Sequence, residues 1–346
     1  MQDQTPLRIA VVGAGAFGRN HLRVYSELEG ATLCAVVDQN ATIAAEAGEK
    51  FGIPHFSSVE ALLAADLQLN AASVCVPTIH HLAAARPLLE AGLDVLIEKP
   101  LAPSLADADE LIALASRHGC LIQTGHLERF NPAVTAARAV LNRPMFFEAH
   151  RMSVFTPRSL DVDVVLDLMI HDLDIVLSLV DSPVHEVRAV GLAVLSPTVD
   201  IANVRIEFQN GCVANFTASR VSTERIRKLR FFQPHQYLSL DFARQDLLLI
   251  DVTATAGLSM SELTALIERH SKPQAPGEHP TAGLSMSKIP VAPGEPLRLE
   301  LESFLNAVRT RTKPLVDAEA GRKALQFALE INAAIAAHAR RAGLNT

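Results

Sequence analysis

The start of the chain holds the pattern that most restricts its fold. The apolar run Leu7–Val12 is followed at once by Gly13, Gly15 and Gly18, spaced as GxGxxG, and then by a segment with helical spacing. This order predicts a strand, a tight turn and a helix whose free N-terminal amides can bind a pyrophosphate. A second apolar strand ends at Asp38, where a carboxylate can bind both hydroxyls of a ribose. The sequence therefore predicts a dinucleotide-binding turn.

Asp38 also indicates which dinucleotide is bound. A carboxylate at this position repels the 2′-phosphate of NADP, and the next residues, Gln39 and Asn40, offer no arginine to bind that phosphate. The sequence therefore favours NAD, held by the glycine-rich turn together with Ala16 and Phe17. The alternative is a glycine turn with an unrelated acidic residue at a strand end. The strand, turn, helix and acid stand in the expected register, which argues against that alternative.

The order of predicted elements indicates two domains. Strands alternate with helices over residues 1–125, which predicts an α/β domain with a doubly wound parallel sheet, the Rossmann arrangement. Residues 126–346 are rich in strands, with Asn210–Gly211 as the best hairpin signal, and predict a second domain with a largely antiparallel sheet. Within it, residues 164–180 have helical spacing. The proline-rich stretch 271–296 is predicted to be a surface insertion.

Composition and charge exclude several classes of function. With 346 residues, 49% of them hydrophobic, the chain can bury two cores of ordinary size. The net charge of −7 argues against a nucleic-acid-binding protein, which needs a basic face. Neither a membrane-spanning run nor a secretory leader is recognisable, so we expect no membrane partner and no secretion. The four scattered cysteines favour free thiols in a reducing cytoplasm, hence a cytoplasmic protein.

Three groups of polar residues stand where a ligand can bind, and each has a structural alternative. Lys99 follows a predicted strand of the parallel sheet, where a lysine is as often a surface residue. Asp167 and His171 are four apart on a predicted helix, so the carboxylate can orient the imidazole; a solvent-facing acidic helix is the alternative. The segment 125–132 lies between the predicted domains and can contact substrate or form a salt-bridged hinge. No histidine or cysteine spacing predicts a metal site.

Taken in order, these motifs resemble those of one family. The order is GxGxxG, Asp38, Pro77-Thr78 with His81, Glu98-Lys99-Pro100, Arg129-Phe130-Asn131-Pro132 and Asp167-x-x-x-His171. It is similar to the glucose–fructose oxidoreductase/inositol dehydrogenase/rhizopine catabolism (Gfo/Idh/MocA) family over nearly the whole chain. The resemblance implies a Rossmann domain, a C-terminal α/β domain with an open sheet, and a homodimer or homotetramer formed through that sheet.

The family resemblance also implies roles for single residues. Lys99 matches a catalytic lysine that hydrogen-bonds the reacting hydroxyl, His171 matches the usual proton acceptor, and Asp167 matches its neighbour that contacts substrate. Arg129 and Asn131 belong to the segment expected to contact substrate. The residues that match the turns around the cofactor are Pro77, Thr78, His81 and Glu98.

Two segments narrow the expected substrate. GHLERFNPAV and VLDLMIHDLDI are similar to those of UDP-N-acetylglucosamine 3-dehydrogenases. This implies an NAD-dependent enzyme that oxidises a secondary hydroxyl of a sugar, here C3 of a nucleotide sugar, to the ketone. A free-sugar or inositol dehydrogenase is one alternative, and a non-catalytic NAD-binding sensor is another. The joint presence of Lys99, Asp167 and His171 argues against the sensor.

Overall fold

A computed structural model describes residues 5–156, 162–252, 258–262, 264–265 and 285–344. The chain divides into two compact units: Met1–Phe130 with Gly294–Leu329, and Asn131–Pro293 with Glu330–Thr346. The first segment of the first unit ends near the boundary predicted after residue 125, and the chain returns to this unit near its C-terminal end.

A six-stranded parallel sheet forms the centre of the first unit. Its strands are β1 (Leu7–Val12), β2 (Ala31–Val37), β3 (His55–Phe56), β4 (Ala71–Val74), β5 (Asp94–Glu98) and β6 (Ile122–Gly125). The order across the sheet is β3-β2-β1-β4-β5-β6, and every neighbouring pair is parallel. In this doubly wound order a dinucleotide binds beyond the carboxyl ends of the strands. The predicted Rossmann fold is confirmed.

Helices connect these strands, and their ends follow from local capping residues. They are α1 (Ala16–Glu27), α2 (Ala41–Phe51), α3 (Val59–Ala64), α4 (His81–Glu90) and α5 (Leu105–His118). Asn40 begins α2, because its side chain accepts hydrogen bonds from the amides of Thr42 and Ile43. Gly52 ends α2 with a φ of +64°, a left-handed conformation that glycine adopts without strain.

The second unit is built on an eight-stranded sheet. Its strands are β7 (Phe146–Met152), β8 (Val184–Leu192), β9 (Ile201–Phe208), β10 (Val213–Ser219), β11 (Ile226–Gln233), β12 (Gln236–Asp241), β13 (Asp246–Asp251) and β14 (Ser285–Ile289). The order is β14-β13-β12-β11-β7-β10-β9-β8, with β7 and β10 the one parallel pair. The predicted largely antiparallel sheet is confirmed, and so is the hairpin, since Asn210 and Gly211 join β9 to β10.

Strand β14 lies within residues 271–296, the stretch predicted to be a surface insertion, and forms an edge of the sheet. Ser285–Ile289 pairs with β13, and Lys288 binds Asp246 with 2.6 Å between Nζ and Oδ1. Five residues are too few for their periodicity to separate a strand from a loop. Residues 271–284 of the predicted insertion lie outside the described residues.

Two helices of the second unit carry or flank predicted site residues. Helix α6 (Pro132–Ala139) begins directly after Asn131. The helix predicted over residues 164–180 is confirmed, but it begins with a π-helical segment, Val165–Met169, before it continues as α7 (Ile170–Leu179). Helical segments with π geometry are rare, and they are frequent at functional sites.

The last two helices explain the return of the chain. Helix α8 (Pro296–Thr310) packs its apolar side onto the first core, where Leu301 and Phe304 are fully buried with Ile9 and Leu22. Burial of such side chains stabilises by roughly 1.5–3 kcal/mol each. Helix α9 (Ala318–Ala342) follows. Among the described residues, no helix has the length and apolar character needed to cross a membrane.

Candidate active site

The three glycines of the first turn have three different surroundings. Gly13 has a φ of +96°, and a Cβ there would lie 2.8 Å from the backbone of Cys75. A Cβ on Gly18 would lie 1.8 Å from the carbonyl oxygen of Gly13, so only glycine lets α1 approach the turn this closely. A Cβ on Gly15 would meet nothing within 4 Å. Open space at Gly15 beside two packed glycines is the shape expected of a cradle for a pyrophosphate.

The first turn of α1 leaves that cradle electrostatically positive. Gly15 is the N-cap and supplies no side-chain cap, and the first turn contains no acidic residue. Gly15, Ala16 and Phe17 are exposed, with Phe17 at 37%. Free amides and the positive end of the helix dipole stabilise a bound phosphate at this position.

Asp38 is fixed beside the glycine turn. Its Oδ2 accepts a hydrogen bond from the amide of Ala14 at 2.8 Å, and its Oδ1 accepts one from the amide of Asn40 at 2.9 Å. The carboxylate remains half-buried at the end of β2. An acid held here can accept hydrogen bonds from ribose hydroxyls and repels a 2′-phosphate, so the residues fit NAD.

The turn after β4 contains the next predicted cofactor residues. Pro77 is exposed, and Thr78 is half-buried at the start of a short 3-10 turn, Thr78–His80. His81 is instead buried, with Nε2 3.0 Å from the carbonyl oxygen of Val76 and Nδ1 3.0 Å from that of Pro100. Burial lowers the pKa of His81, although hydrogen bonds to these carbonyls oppose the change. Its imidazole therefore lies inside the first unit, between the carbonyl oxygens of Val76 and Pro100.

Lys99 lies in the turn after β5. The lysine is half-buried, and its peptide bond to Pro100 is cis. The preceding residue, Glu98, is buried, and its Oε1 accepts a hydrogen bond from Nε2 of His21 at 2.9 Å. The Glu98 carboxylate therefore faces the interior of the first unit.

Most of the residues predicted to bind cofactor meet at one edge of the parallel sheet. Gly13, Asp38 and Pro77 follow the carboxyl ends of β1, β2 and β4, and Lys99, predicted to be catalytic, follows that of β5. These four strands are neighbours in the sheet, in the order β2-β1-β4-β5. This edge includes the point between β1 and β4 where the strand order reverses, the usual position of a nucleotide crevice.

In the second unit, Asp167 and His171 lie on one helix. Asp167 is in the π-helical segment and His171 is in the first turn of α7; both are half-buried. Hydrogen bonds in a π-helix span five residues, so the position of Asp167 relative to His171 differs from that in an α-helix. Their shared face stays a prediction.

A buried ion pair anchors this helix. Asp172, next to His171, accepts hydrogen bonds from Nε and the terminal nitrogen Nη2 of Arg151 on β7, at 2.8 and 2.9 Å. Both side chains are at most 5% exposed. The Arg151 guanidinium also lies 5.0 Å from the ring centre of Phe242. A two-point contact fixes orientation as well as distance.

Arg129 and Asn131, predicted to contact substrate, are both buried. The terminal nitrogen Nη2 of Arg129 lies 3.5 Å from the carbonyl oxygen of Leu315. Asn131 caps α6, since its Oδ1 accepts a hydrogen bond from the amide of Ala133 at 3.1 Å, and its Nδ2 donates to the carbonyl of Phe242. These contacts explain both residues structurally, and their contact with substrate stays a prediction.

Three residues that hold turns or helices carrying predicted site residues do not follow from the motifs. His21 and Arg151 are buried polar groups inside otherwise apolar patterns, and that mismatch was the available signal. Asp163 begins the helix that carries Asp167 and His171, because its Oδ1 accepts hydrogen bonds from two helix amides and its Oδ2 accepts one from Asn332 at 3.0 Å. Among the described residues, no group of three or more histidine, cysteine and acidic side chains could hold a metal.

Comparison with known proteins gives family matches in both halves of the chain. The description "oxidoreductase family, NAD-binding Rossmann fold" matches residues 7–126, and "GFO/IDH/MocA C-terminal domain" matches residues 133–232. The chain is 36% identical over 336 residues to UDP-N-acetylglucosamine 3-dehydrogenase of Acidithiobacillus ferrooxidans, with 97% of this chain and 99% of that protein covered. It is 31% identical over 194 residues to an inositol 2-dehydrogenase of Corynebacterium glutamicum, with 53% and 56% covered.

Solved structures show the same fold. The UDP-N-acetylglucosamine 3-dehydrogenase GnnA of A. ferrooxidans aligns with a TM-score of 0.83 at 34% identity, covering 96% of this chain and 98% of that one. A levoglucosan dehydrogenase complexed with NADH and levoglucosan aligns with a TM-score of 0.79, covering 96% and 98%, and at 16% identity it shows the fold alone. The predicted family, enzyme class and cofactor are confirmed: the chain belongs to the Gfo/Idh/MocA family of NAD-binding Rossmann-fold oxidoreductases.

Proposed function

We propose that the protein oxidises the 3-hydroxyl of UDP-N-acetylglucosamine to the 3-keto sugar with NAD. The observation that carries this proposal is the 36% identity to a UDP-N-acetylglucosamine 3-dehydrogenase over 97% of the chain. The similarity extends through both units and is not confined to the cofactor domain. The glycine cradle and Asp38 supply the matching cofactor site.

The chain's own groups divide the work. When bound, NAD supplies the hydride acceptor. The α1 amides and Asp38 hold the dinucleotide, and Lys99 hydrogen-bonds the reacting hydroxyl and stabilises the alkoxide charge that develops on it. His171 accepts the hydroxyl proton, and Asp167 contacts substrate and orients the imidazole. A base positioned in this way contributes about a hundred- to ten-thousandfold to the rate.

A substrate screen tests the proposal. Purified protein with NAD is offered UDP-sugars and free polyols while NADH formation is followed. We expect turnover of UDP-N-acetylglucosamine and very slow turnover of N-acetylglucosamine, which lacks the nucleotide. Lys99→Met should lower kcat by at least about a thousandfold while NAD still binds. Lys323→Met, at an exposed lysine of α9, is the matched control and should keep full activity.

The alternative is a free-sugar or inositol dehydrogenase. The similarity to inositol 2-dehydrogenase favours it, although that match covers 53% of this chain. The two candidates separate in the same screen. Faster turnover of myo-inositol or another polyol than of every UDP-sugar would overturn the nucleotide-sugar assignment and leave the dehydrogenase chemistry intact.

We also propose that copies of the chain associate through the sheet of the second unit. One row of side chains across five strands is apolar and outside the buried face of the sheet: Phe146, Phe232, Tyr237, Ile250 and Met286. Phe232 is 39% exposed and Met286 is 51% exposed. An apolar band of this kind is typical of a protein interface. Light scattering after gel filtration should show a dimer or tetramer, and Phe232→Glu should give monomers.

A cytoplasmic location stays part of the proposal. Cys34, Cys75, Cys120 and Cys212 are all free thiols. Burial raises the pKa of Cys212 to about 11, which keeps that thiol protonated and unreactive. Free thiols suit a reducing compartment. Fractionation of the source cells should recover the protein with the cytoplasmic enzymes, and recovery outside that fraction would contradict the proposal.

A further inference from the structure

On one side of Lys99, a buried histidine holds the preceding residue. Nε2 of His21, on α1, donates to Oε1 of Glu98 at 2.9 Å, and Oε2 of Glu98 accepts the amide N–H of Lys99 at 3.3 Å. His21 is fully buried and Glu98 is 6% exposed. A Cβ added to Gly125 would lie 3.0 Å from the carboxyl carbon of Glu98. The carboxylate therefore sits in a tight space and has little freedom to move.

On the other side, a second buried histidine holds the residues that follow Lys99. Nδ1 of His81 lies 3.0 Å from the carbonyl oxygen of Pro100 and 3.3 Å from that of Leu101. Nε2 of the same ring lies 3.0 Å from the carbonyl oxygen of Val76. One side chain thus connects the turn after β4 to the turn after β5.

We propose that His21 and His81 are positioning residues for Lys99. Together the two histidines form a clamp on the turn that carries Lys99. The inference rests on the proposed function of Lys99 as the group that hydrogen-bonds the reacting hydroxyl. A lysine side chain has four rotatable bonds, so the direction of its ammonium depends on where the backbone of the turn lies. A displacement of about 1 Å at a catalytic group can lower the rate about a hundredfold.

Loss of the clamp should have a different effect from loss of a purely structural residue or of a cofactor contact. A purely structural histidine affects stability without a specific effect on kcat. A cofactor contact, the role that the family resemblance implies for His81, affects NAD binding. A positioning residue lowers kcat while NAD binding is retained, because the displaced lysine acts on the reacting hydroxyl.

The experiment compares three changes near one helix. His21→Leu removes the hydrogen bond to Glu98, His21→Gln keeps a donor of similar reach, and Tyr25→Phe is the matched control. The Tyr25 hydroxyl lies 2.9 Å from Oγ of Ser73, and both groups are buried. Tyr25→Phe therefore removes another buried hydrogen bond of α1 without touching the turn of Lys99. His21→Asn, whose amide is too short to reach Glu98, replaces His21→Leu if that variant does not fold.

We expect His21→Leu to lower kcat about ten- to a hundredfold with an unchanged Kd for NAD, and His21→Gln to recover most of the loss. Tyr25→Phe should keep the wild-type kcat. His81→Leu should behave like His21→Leu. Equal losses of kcat in His21→Leu and Tyr25→Phe, or a raised Kd for NAD with unchanged kcat, would overturn the proposal.

A readout without substrate separates this proposal from the proposed function. The chain has seven lysines, so reductive ¹³C-methylation gives few NMR signals, and that of Lys99 is the one lost in Lys99→Met. The Lys99 signal should shift in His21→Leu and His81→Leu and stay in place in Tyr25→Phe. An unchanged signal in both histidine variants refutes the clamp, whatever sugar is oxidised. A shifted signal in a protein that oxidises no sugar supports the clamp and refutes the proposed function.

Discussion

The two units hold the side chains predicted to act in catalysis in different ways. Lys99 is carried by a turn whose neighbours are tied by hydrogen bonds to backbone carbonyls and to Glu98. His171 is carried by a helix that a buried ion pair, Arg151 with Asp172, fixes to a strand. The first arrangement lies at the edge of a parallel sheet, where the turns that follow neighbouring strands are close together because the strands run in the same direction. The second depends on two particular side chains that find each other in the interior.

This difference decides how each unit responds to substitution. A turn at a sheet edge that loses one hydrogen bond can shift slightly while the sheet beneath it stays folded, so the effect falls on the direction of the lysine. A buried ion pair that loses one partner leaves an uncompensated charge in the interior, so the effect falls on folding itself. Function-specific defects are therefore expected mainly in the first unit and stability defects in the second.

The largest expected effect comes from breaking the ion pair. Asp172→Ala removes the carboxylate that accepts two hydrogen bonds from the buried Arg151 guanidinium, and we expect a loss of about 3–5 kcal/mol in the free energy of unfolding. Urea denaturation followed by circular dichroism measures the change. The double variant Arg151→Met with Asp172→Leu removes both charges and should recover most of the stability. A loss below about 1 kcal/mol for Asp172→Ala would contradict the assigned role.

The next effect tests how tightly the glycine turn is packed. Gly18→Ala places a Cβ 1.8 Å from the carbonyl oxygen of Gly13, and the forced separation of α1 from the turn should cost about 3 kcal/mol. Gly15→Ala adds the same methyl group in open space and should leave the stability of the NAD-free protein within about 0.5 kcal/mol. NAD titration should nevertheless show weaker binding, that is, a higher Kd, for Gly15→Ala. Equal stability losses in both variants would refute the different roles assigned to the two glycines.

A smaller, pH-dependent effect is expected in the second unit. Burial of Asp200 by itself raises its pKa, but hydrogen bonds from the Ser196 hydroxyl and from the amides of Ser196, Leu195 and Val194 lower it to about 2. Because this value lies below the ordinary 3.8, the carboxylate stabilises the folded state above about pH 4 and loses that effect as the pH falls towards 2. The contribution is roughly 2 kcal/mol.

Hydrogen exchange gives a local measurement of that contribution. The amides of Val194, Leu195 and Ser196 should lose protection between pH 4 and pH 2 in the wild-type protein, after correction for intrinsic exchange. Asp200→Asn should show reduced protection at every pH with little further change in acid. A wild-type protection that is constant down to pH 2 would contradict the low pKa.

The sequence predicts the first unit far better than the second, for a physical reason. Gly13, Gly18 and Asp38 act through backbone geometry within one strand–turn–helix unit, so their spacing carries the information. The contacts of Arg151 with Asp172 and of His21 with Glu98 join residues 21 and 77 positions apart, and no local period reports them. The sequence also does not predict that α8 packs on the first core, because the apolar face of a helix does not indicate which core the helix packs against. The π-helical start at Val165 has no period of its own that a short window resolves.

The smallest effect compares two helix caps, one in each unit. Asn40→Ala removes an exposed cap of α2 and should cost about 1 kcal/mol. Asn131→Ala removes a buried cap of α6 and also the donor to the Phe242 carbonyl, so about 1 kcal/mol more is expected. Thermal unfolding of the two variants measures the difference. Asn131→Ser restores the capping oxygen alone. If this variant regains stability but raises KM for the sugar, Asn131 contacts substrate, as its place in the segment 125–132 predicts. An unchanged KM would confine Asn131 to its structural role.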